Sequence, residues 1–487
     1  MSASGSQRIA RNALARLSGE VVAKLTSLVF FVTMARELGR EGFGAFMFAL
    51  GLTGALVLCA GFGTDELTAR EVARDRSRAG RYLADVISLK LVTCTVLLVG
   101  AALVVSRGSF SDDTLPAVVL VGAGVAIEAI SRTWYSVFQA YERLDLVSLS
   151  VIVQRTTTAL VGVVLLKLGA GVVIAATVFA AGALLGLGMA LLSARRLGLA
   201  SDRADPGRWR ALLRSGLPIG VAGLLFVLLL RLDVTLLSFL SGEAEVGDYA
   251  AAYRLVESTQ FLAWAISAAM LPWLARAQRP ESMEGGLVRG YELGLKAMNA
   301  VLLPIGLAFL LFAEPLVDIL YGEAFSGAVL PLQLLGLTSG LYGIQNFAST
   351  TFVARNAAGT FARVVGVVVV LNLAGNVFAI PRYGADGAAA TALASGVVLA
   401  GVSLVLARRR IGHVRHIRVF LGPATGALAM VLTVWVAGNS LALSLPLACL
   451  AYAVTLGAVE LVAWREDVDA YLEVLPARVR SRLEPSR

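Results

Sequence analysis

Apolar residues in this chain fall in long unbroken runs, without the alternation of a half-buried strand or the narrow 3.6-residue stripe of a soluble amphipathic helix. Fourteen runs can be marked, at about 17–35, 43–61, 83–105, 116–138, 147–166, 172–193, 216–240, 249–271, 293–313, 328–352, 364–380, 387–406, 419–437 and 443–463. A helix needs roughly 20 apolar residues to cross a hydrocarbon core about 30 Å thick, and each run comes close to that length. The pattern predicts an all-α polytopic membrane protein with about 14 transmembrane helices. The connections are short, and none is long enough to bury a soluble core of its own. Residues 66–82 and 194–214 are basic and partly amphipathic, and 464–487 sets Val468, Leu472, Leu475, Val479 and Leu483 among charges, as an interfacial helix would.

Charge in the connections gives the runs a direction. Of the 42 Lys and Arg, 30 lie on the side shared by both termini, including Arg70, Arg74, Arg76, Arg78 and Arg81 after the second run and Arg408, Arg409 and Arg410 after the twelfth. Five lie opposite, Arg36, Arg40, Arg107, Lys167 and Arg382, in loops that also carry Asp112, Asp113, Glu243, Glu245, Glu314 and Glu323. The positive-inside rule then places both termini in the cytoplasm, with the first run expected to serve as the insertion signal. The net charge of +9 sits at span ends, beside anionic head groups, and does not mark nucleic-acid binding. Cys59, Cys94 and Cys449 lie inside separate runs with no Cys-x-x-Cys spacing, so neither a disulfide framework nor a zinc site is implied.

An internal repeat is legible. Leu38 to Leu50 after span 1 is similar to Gly242 to Leu255 after span 7, with Gly44 matching Gly247. Leu168-Gly169-Ala170-Gly171 after span 5 matches Tyr383-Gly384-Ala385-Asp386-Gly387 after span 11. Each matched pair is separated by six spans, so two six-helix pseudo-repeats are expected, parallel to each other, with spans 13 and 14 added. The expected organisation is an N-terminal lobe at 1–200, a C-terminal lobe at 201–412, and 413–487 as the extra helices and cytoplasmic tail.

The run Ala35-Arg36-Glu37-Leu38-Gly39, then Glu41-Gly42-Phe43-Gly44, and Gly61-Phe62-Gly63 before an arginine-rich loop, resembles the opening of prokaryotic polysaccharide transporters. Val246-Gly247-Asp248-Tyr249, followed by Ala252-Tyr253-Arg254 and Glu257, resembles the start of their second half. These O-antigen-type oligosaccharide flippases belong to the multidrug, oligosaccharidyl-lipid and polysaccharide exporter superfamily, and the resemblance covers essentially the whole chain. It implies a monomeric flippase in the cell (plasma or inner) membrane. Such a protein moves a polyprenyl-pyrophosphate-linked oligosaccharide from the cytoplasmic to the outer leaflet by alternating access, for surface polysaccharide or glycoconjugate assembly. Polymerase or glycosyltransferase partners of the same pathway are left open.

That substrate combines an anionic pyrophosphate, a hydroxylated head and an apolar tail, so its carrier needs cations in a wet cavity. Seven cations lie within the spans: Lys24, Lys90, Arg132, Arg155, Arg231, Arg254 and Lys296. Each costs roughly 2.5–3.5 kcal/mol at mid-membrane on insertion scales and so should face a cavity or a partner. Lys90 and Lys296 are near span ends and are expected to snorkel to the head groups. The remaining five, Arg254, Arg231, Arg155, Arg132 and Lys24, are the candidate substrate-binding residues. Glu20 with Lys24 and Glu128 with Arg132 are four apart, so intrahelical pairing competes with a cavity role. Arg155 has no obvious local acid. Arg231 and Asp233 lie two apart on different faces and each needs another partner. Arg254 is the foremost candidate because a guanidinium grips phosphate in two-point fashion; a structural pair with Glu257 is the competing reading. Glu20, Glu128, Asp233 and Glu257 are thus candidate charge partners or coupling groups. Asn299, Gln345, Asn346, Asn372 and Asn376 read as interhelical glue more readily than as sugar ligands.

Little here points to enzymatic chemistry. His413 and His416 share a basic loop and read as a solvated face, and no Gly-Lys-Ser or Gly-Lys-Thr phosphate loop is present. No cofactor or metal is expected, and Na⁺ or H⁺ is left open as a coupling ion. An ion-coupled small-molecule or drug exporter is the alternative function, and a membrane polymerase or ligase would need a larger outer loop than any here.

Overall fold

The computed structural model describes residues 3–108, 110–276, 285–354, 358–438 and 440–474; inside its helices, the side chains of Glu20, Cys59 and Arg231 lie outside the described set. Among the described residues the regular elements are helical and no strand occurs. The α-helices are α1 Ala3–Gly61, α2 Thr64–Arg74, α3 Ala79–Val105, α4 Thr114–Ala140, α5 Leu144–Lys167, α6 Val172–Arg196, α7 Trp209–Leu240 and α8 Glu243–Thr259. They continue as α9 Phe261–Arg276, α10 Gly285–Leu311, α11 Ala313–Tyr321, α12 Val329–Ala354, α13 Ala358–Arg410, α14 His416–Ala437, α15 Ser444–Ala463 and α16 Arg465–Val474.

The chain is an all-α, multi-pass membrane protein. The fourteen expected spans fall on helices, with span 8 (249–271) divided between α8 and α9 by a break at Gln260. Nine helices among the described residues are long and apolar enough to cross a membrane by length and composition, and one of these, α13, carries two expected spans. Their outward faces are apolar, as at Val96, Leu160 and Val462, which suits contact with lipid tails.

Glycine decides where spans turn. Spans 1 and 2 run on through α1 except at Gly39 (φ 68°), and spans 11 and 12 run on through α13 except at Gly384 (φ 51°). Gly242 and Gly169, at the same places in the two matched turn pairs, also have positive φ, a conformation most side chains resist. At Gly44 an added Cβ would lie 1.8 Å from the Glu243 carbonyl oxygen, and at Gly247 it would lie 2.3 Å from that of Arg40. The matched segments of the two halves therefore pack directly against each other, backbone to backbone. Arg40 clamps the crossing with a two-point ion pair to buried Asp248.

By packing, the chain forms two compact units. Unit 1 comprises Met1–Ser258, Leu320–Pro331 and Val365–Ala392; unit 2 comprises Thr259–Ile319, Leu332–Val364 and Leu393–Arg487. This division does not follow the repeat. Span 7 and span 11 join spans 1–6 in unit 1; span 11 is tied to span 7 by Asn376 donating to Asp233 (2.6 Å), and the turn after it to the start of α8 by Glu245 accepting from the Ala385 amide (2.7 Å).

In unit 2, α10 is joined to α14, α15 and α16 by buried charge. Lys296 contacts Glu460 (2.6 Å) and Asp467 (2.7 Å), and Asp467 also receives Arg289 (2.5 Å) and Arg418 (2.8 Å). Burial by itself would raise the Asp467 pKa, but the hydrogen bonds from Arg418 and Lys296 hold it below the ordinary carboxylate value. Lys296 and Lys90, expected to snorkel, are instead fully enclosed by protein, because each finds a carboxylate on a neighbouring helix. Of the expected interfacial segment 464–487, the part to Val474 is helical and docked through Asp467; residues 475–487 lie outside the described set.

Candidate functional site

Unit 1 contains a cavity of about 650 Å³. The polar residues that open it recur at helical spacing on otherwise apolar spans. On α4 they are Glu128, Arg132, Ser136 and Gln139; on α5, Ser148 and Arg155; on α1, Lys24 and Ser27; on α8, Arg254, Glu257 and Ser258. Intervals of three and four keep one face of each helix wet while the remaining faces meet lipid or packed core. Between the polar groups lie Phe31, Leu50, Val125 and Phe179. Phe46, fully buried, meets Phe30 (6.5 Å) and Phe179 (6.0 Å) edge to face, which stiffens the wall behind them.

Four of the five expected cations, Lys24, Arg132, Arg155 and Arg254, are brought together here. Arg231 lies in α7, and its side chain is outside the described set, as is that of Glu20. Arg155 finds an acid that its own helix does not supply. Its guanidinium lies 3.1 Å from Glu128 on α4, and the neighbouring Gln154 donates to the same carboxylate oxygen at 2.5 Å. Glu128 is thus engaged by α5 and not by Arg132 one turn along its own helix, which corrects the expected intrahelical pair. Among the described residues, neither Arg132 nor Lys24 makes an ion pair, and Arg132 is exposed to the cavity.

Arg254 pairs with Glu257 at 2.6 Å, and its guanidinium lies 3.9 Å over the centre of the Phe31 ring. The structural pair and the cavity position therefore hold at once. Asp233 is not in the cavity. Its buried carboxylate accepts from the Tyr249 hydroxyl (2.8 Å) and from Asn376, which also donates to Asn372 (3.0 Å). Gln345 and Asn346 act as helix glue in the same way, Gln345 donating to the Gly396 carbonyl (3.0 Å) and Asn346 accepting from Ser267 (2.7 Å), whereas Asn299 donates to the Leu295 carbonyl of its own helix (2.8 Å).

Lys90, set aside from the sequence as a snorkelling residue, also lines the cavity, as do Asp65 and Glu66, which the sequence did not single out. Lys90 donates to Asp65 (2.6 Å), the Ala129 carbonyl (2.8 Å) and Thr133 (3.0 Å). The available signal was the Gly61-Phe62-Gly63 turn, which starts α2 with both acids in its first turn. The cavity then holds five cations against four acids, two of those cations without a pairing acid, so its field favours an anion. No group of three or more His, Cys, Asp or Glu able to hold a metal occurs among the described residues.

A model of the family described as "Polysaccharide biosynthesis protein" matches residues 9–278, more than half of the chain. A probable low-salt glycan biosynthesis flippase, Agl15 of Haloferax volcanii, is 23% identical over 367 residues, covering 74% of this chain and 76% of that protein. Among solved structures, the lipid II flippase MurJ in an inward closed conformation has a TM-score of 0.75 at 13% identity, covering 94% of this chain and 99% of that one. An inward-facing multidrug resistance transporter of the MATE family has a TM-score of 0.66 at 18% identity, covering 82% and 98%. At such identities the two structures speak for the fold.

Proposed function

Given that the chain belongs to the polysaccharide biosynthesis protein family, we propose that it is a flippase for a polyprenyl-pyrophosphate-linked oligosaccharide, which it carries from the cytoplasmic to the outer leaflet. The observation that carries this reading is the gathering of Lys24, Arg132, Arg155 and Arg254 in one cavity. Arg132 and Lys24 meet the pyrophosphate first, since among the described residues no carboxylate must be displaced from them. Arg155 and Arg254 can follow by exchanging Glu128 and Glu257 for phosphate oxygens, which limits the net cost of leaving the site as well as the gain on entering it. Ser27, Ser136, Gln139, Ser148 and Ser258 supply hydrogen bonds for a hydroxylated head. Agl15, named for glycan biosynthesis, and MurJ, named for lipid II, support this substrate class.

The cavity lining draws on residues beside the Gln139–Leu144 turn and the start of α2, the ends that the arginine distribution assigns to the cytoplasm. On that orientation both termini are cytoplasmic, the membrane is the cell membrane, and the cavity is the inward-open loading site. Residues 1–200 and 201–412 act as the two lobes of alternating access, with 413–487 as an addition and the chain acting as a monomer; the paired positive-φ glycines support the repeat. Asp233 is the coupling candidate, a buried carboxylate to which H⁺ or Na⁺ can bind without entering the substrate cavity. The likeness to MATE transporters favours an ion-coupled drug exporter as the second reading, but a cavity with more cations than acids is poorly suited to cationic drugs.

The test is a deletion strain in which lipid-linked oligosaccharides are assayed leaflet by leaflet. Accumulation on the cytoplasmic leaflet, reversed by the wild-type gene and not by Arg132→Ala, is expected. An unchanged leaflet distribution refutes the reading.

A further inference from the structure

A second concave feature lies wholly within unit 2, between the end of α13 and the start of α14: a groove of about 800 Å³. Its floor is apolar, made by Gly401, Leu404, Val405 and Phe420, and its rim carries Arg408, Arg409 and His416. The spacing explains the geometry. Positions 401, 404, 405 and 408 share one face of α13, and 416 and 420 are one turn apart on α14. The His416 ring stacks over Phe420 (centroids 6.4 Å, planes 23° apart), so the imidazole is presented over the floor.

Two observations set this groove apart from an ordinary basic loop. First, its cations are not neutralised. Arg418, close by, is occupied by Asp467 (2.8 Å) and Glu466 (3.4 Å), whereas no ion pair of Arg408, Arg409 or His416 is found among the described residues. Among the described residues no acid lines the groove, and nearby Glu292 is engaged by the Arg415 amide (2.7 Å). Second, the floor runs into apolar surface: Val405, Ile417 and Leu421 are all exposed. A solvated basic turn has no such floor, and a merely lipid-facing span has no such rim.

We propose that this groove binds one anionic phospholipid of the cytoplasmic leaflet. Arg408, Arg409 and His416 hold the phosphate-bearing head group, and an acyl chain lies along Gly401, Leu404, Val405 and Phe420. The 30-to-5 arginine and lysine asymmetry places this end of α13 at the cytoplasmic face, where anionic lipid is presented to such a rim. The bound lipid joins span 12, the end of the second repeat, to span 13, the start of the additional pair. Membrane composition then acts on the protein at a site separate from the cavity in unit 1.

The experiment is native mass spectrometry of the full-length protein, purified in mild detergent and incubated with equimolar phosphatidylglycerol and phosphatidylcholine. Wild type is expected to retain one phosphatidylglycerol in preference. Arg408→Gln with Arg409→Gln should weaken that retention roughly 25-fold, at about fivefold per arginine near the surface. Gly401→Phe keeps every charge and adds its ring where an added Cβ meets nothing within 4 Å, so it should fold normally and block the acyl chain. Arg410→Gln, outside the groove, controls for loss of basic charge in this loop and should leave retention unchanged. Equal retention of the two lipids, or unchanged retention in either groove variant, overturns the proposal. Displacement of the bound lipid by equimolar polyprenyl phosphate also overturns it, since the groove would then belong to a lipid-linked substrate.

Discussion

Replacing Arg254 separates transport from architecture only if its pair is treated as a unit. Read from sequence, Arg254→Ala removes a ligand and leaves folding alone. The structure changes that expectation. The Arg254 and Glu257 side chains are only 11% and 17% exposed and 2.6 Å apart, so truncating the arginine takes a close cation away from a charged, poorly solvated Glu257. Breaking a buried pair from one side typically costs about 3–5 kcal/mol, and the lower end applies here because cavity water screens the site. Loss of the guanidinium over Phe31 (3.9 Å) adds about 1 kcal/mol. Arg254→Ala is therefore expected to destabilise by about 4 kcal/mol as well as to stop export. The double change Arg254→Met with Glu257→Leu removes both charges at similar volume, and such replacements are close to neutral or stabilising. It should recover the thermal unfolding midpoint in detergent while export, followed by surface polymer in a deletion strain, stays absent. A double variant that exports like wild type would show that Arg254 is only half of a structural pair, and the proposed phosphate contact would be refuted.

Other outcomes follow from single contacts. Glu128→Gln frees Arg155 from its carboxylate while keeping an amide for Gln154, so titration of the purified protein with an isoprenoid pyrophosphate should show roughly fivefold tighter binding, about 1 kcal/mol for a partly exposed pair; unchanged or weaker binding counts against the exchange of carboxylate for phosphate. Gly44→Ala drives a methyl into the Glu243 backbone carbonyl and should destabilise by about 3 kcal/mol in thermal unfolding, whereas Gly100→Ala, with nothing within 4 Å, should be neutral or slightly stabilising. Asp467 has a folded-state pKa below its unfolded value of 3.8, so its contribution is present above that value and is lost as pH falls through the folded one. Hydrogen exchange across 465–474 should then show α16 docked from pH 7 down to about 4 and released below, and release between pH 7 and 5 would contradict the ion-pair account.

Much of the site was legible residue by residue, and its wiring was not. Lys24, Arg132, Arg155 and Arg254 could be selected because a cation within an apolar span must have somewhere wet or charged to go. Which carboxylate each one meets depends on neighbouring helices. Glu128 sits one turn from Arg132, yet it serves Arg155, because α5 brings a guanidinium and the Gln154 amide to the same oxygen. Lys90 was misread for a related reason: its distance from the span end suggested the head groups, while Asp65 and Thr133 approach it from α2 and α4.

By itself the sequence determined what each residue can decide alone. The fourteen runs and the glycine turns follow from transfer free energy and allowed φ, neither of which requires knowing a neighbour. The family-like motif was equally legible, though not why it contains glycine. Only the tertiary structure decided that, by bringing Gly44 and Gly247 into backbone contact. It also decided that spans 7 and 11 pack with the first six, and that cations from α1, α3, α4, α5 and α8 share one cavity. These are relations between helices distant in the chain, and in a lipid solvent that is apolar on every side, hydrophobicity cannot say which helix faces which. Close backbone approach and the pairing of buried charges make that choice.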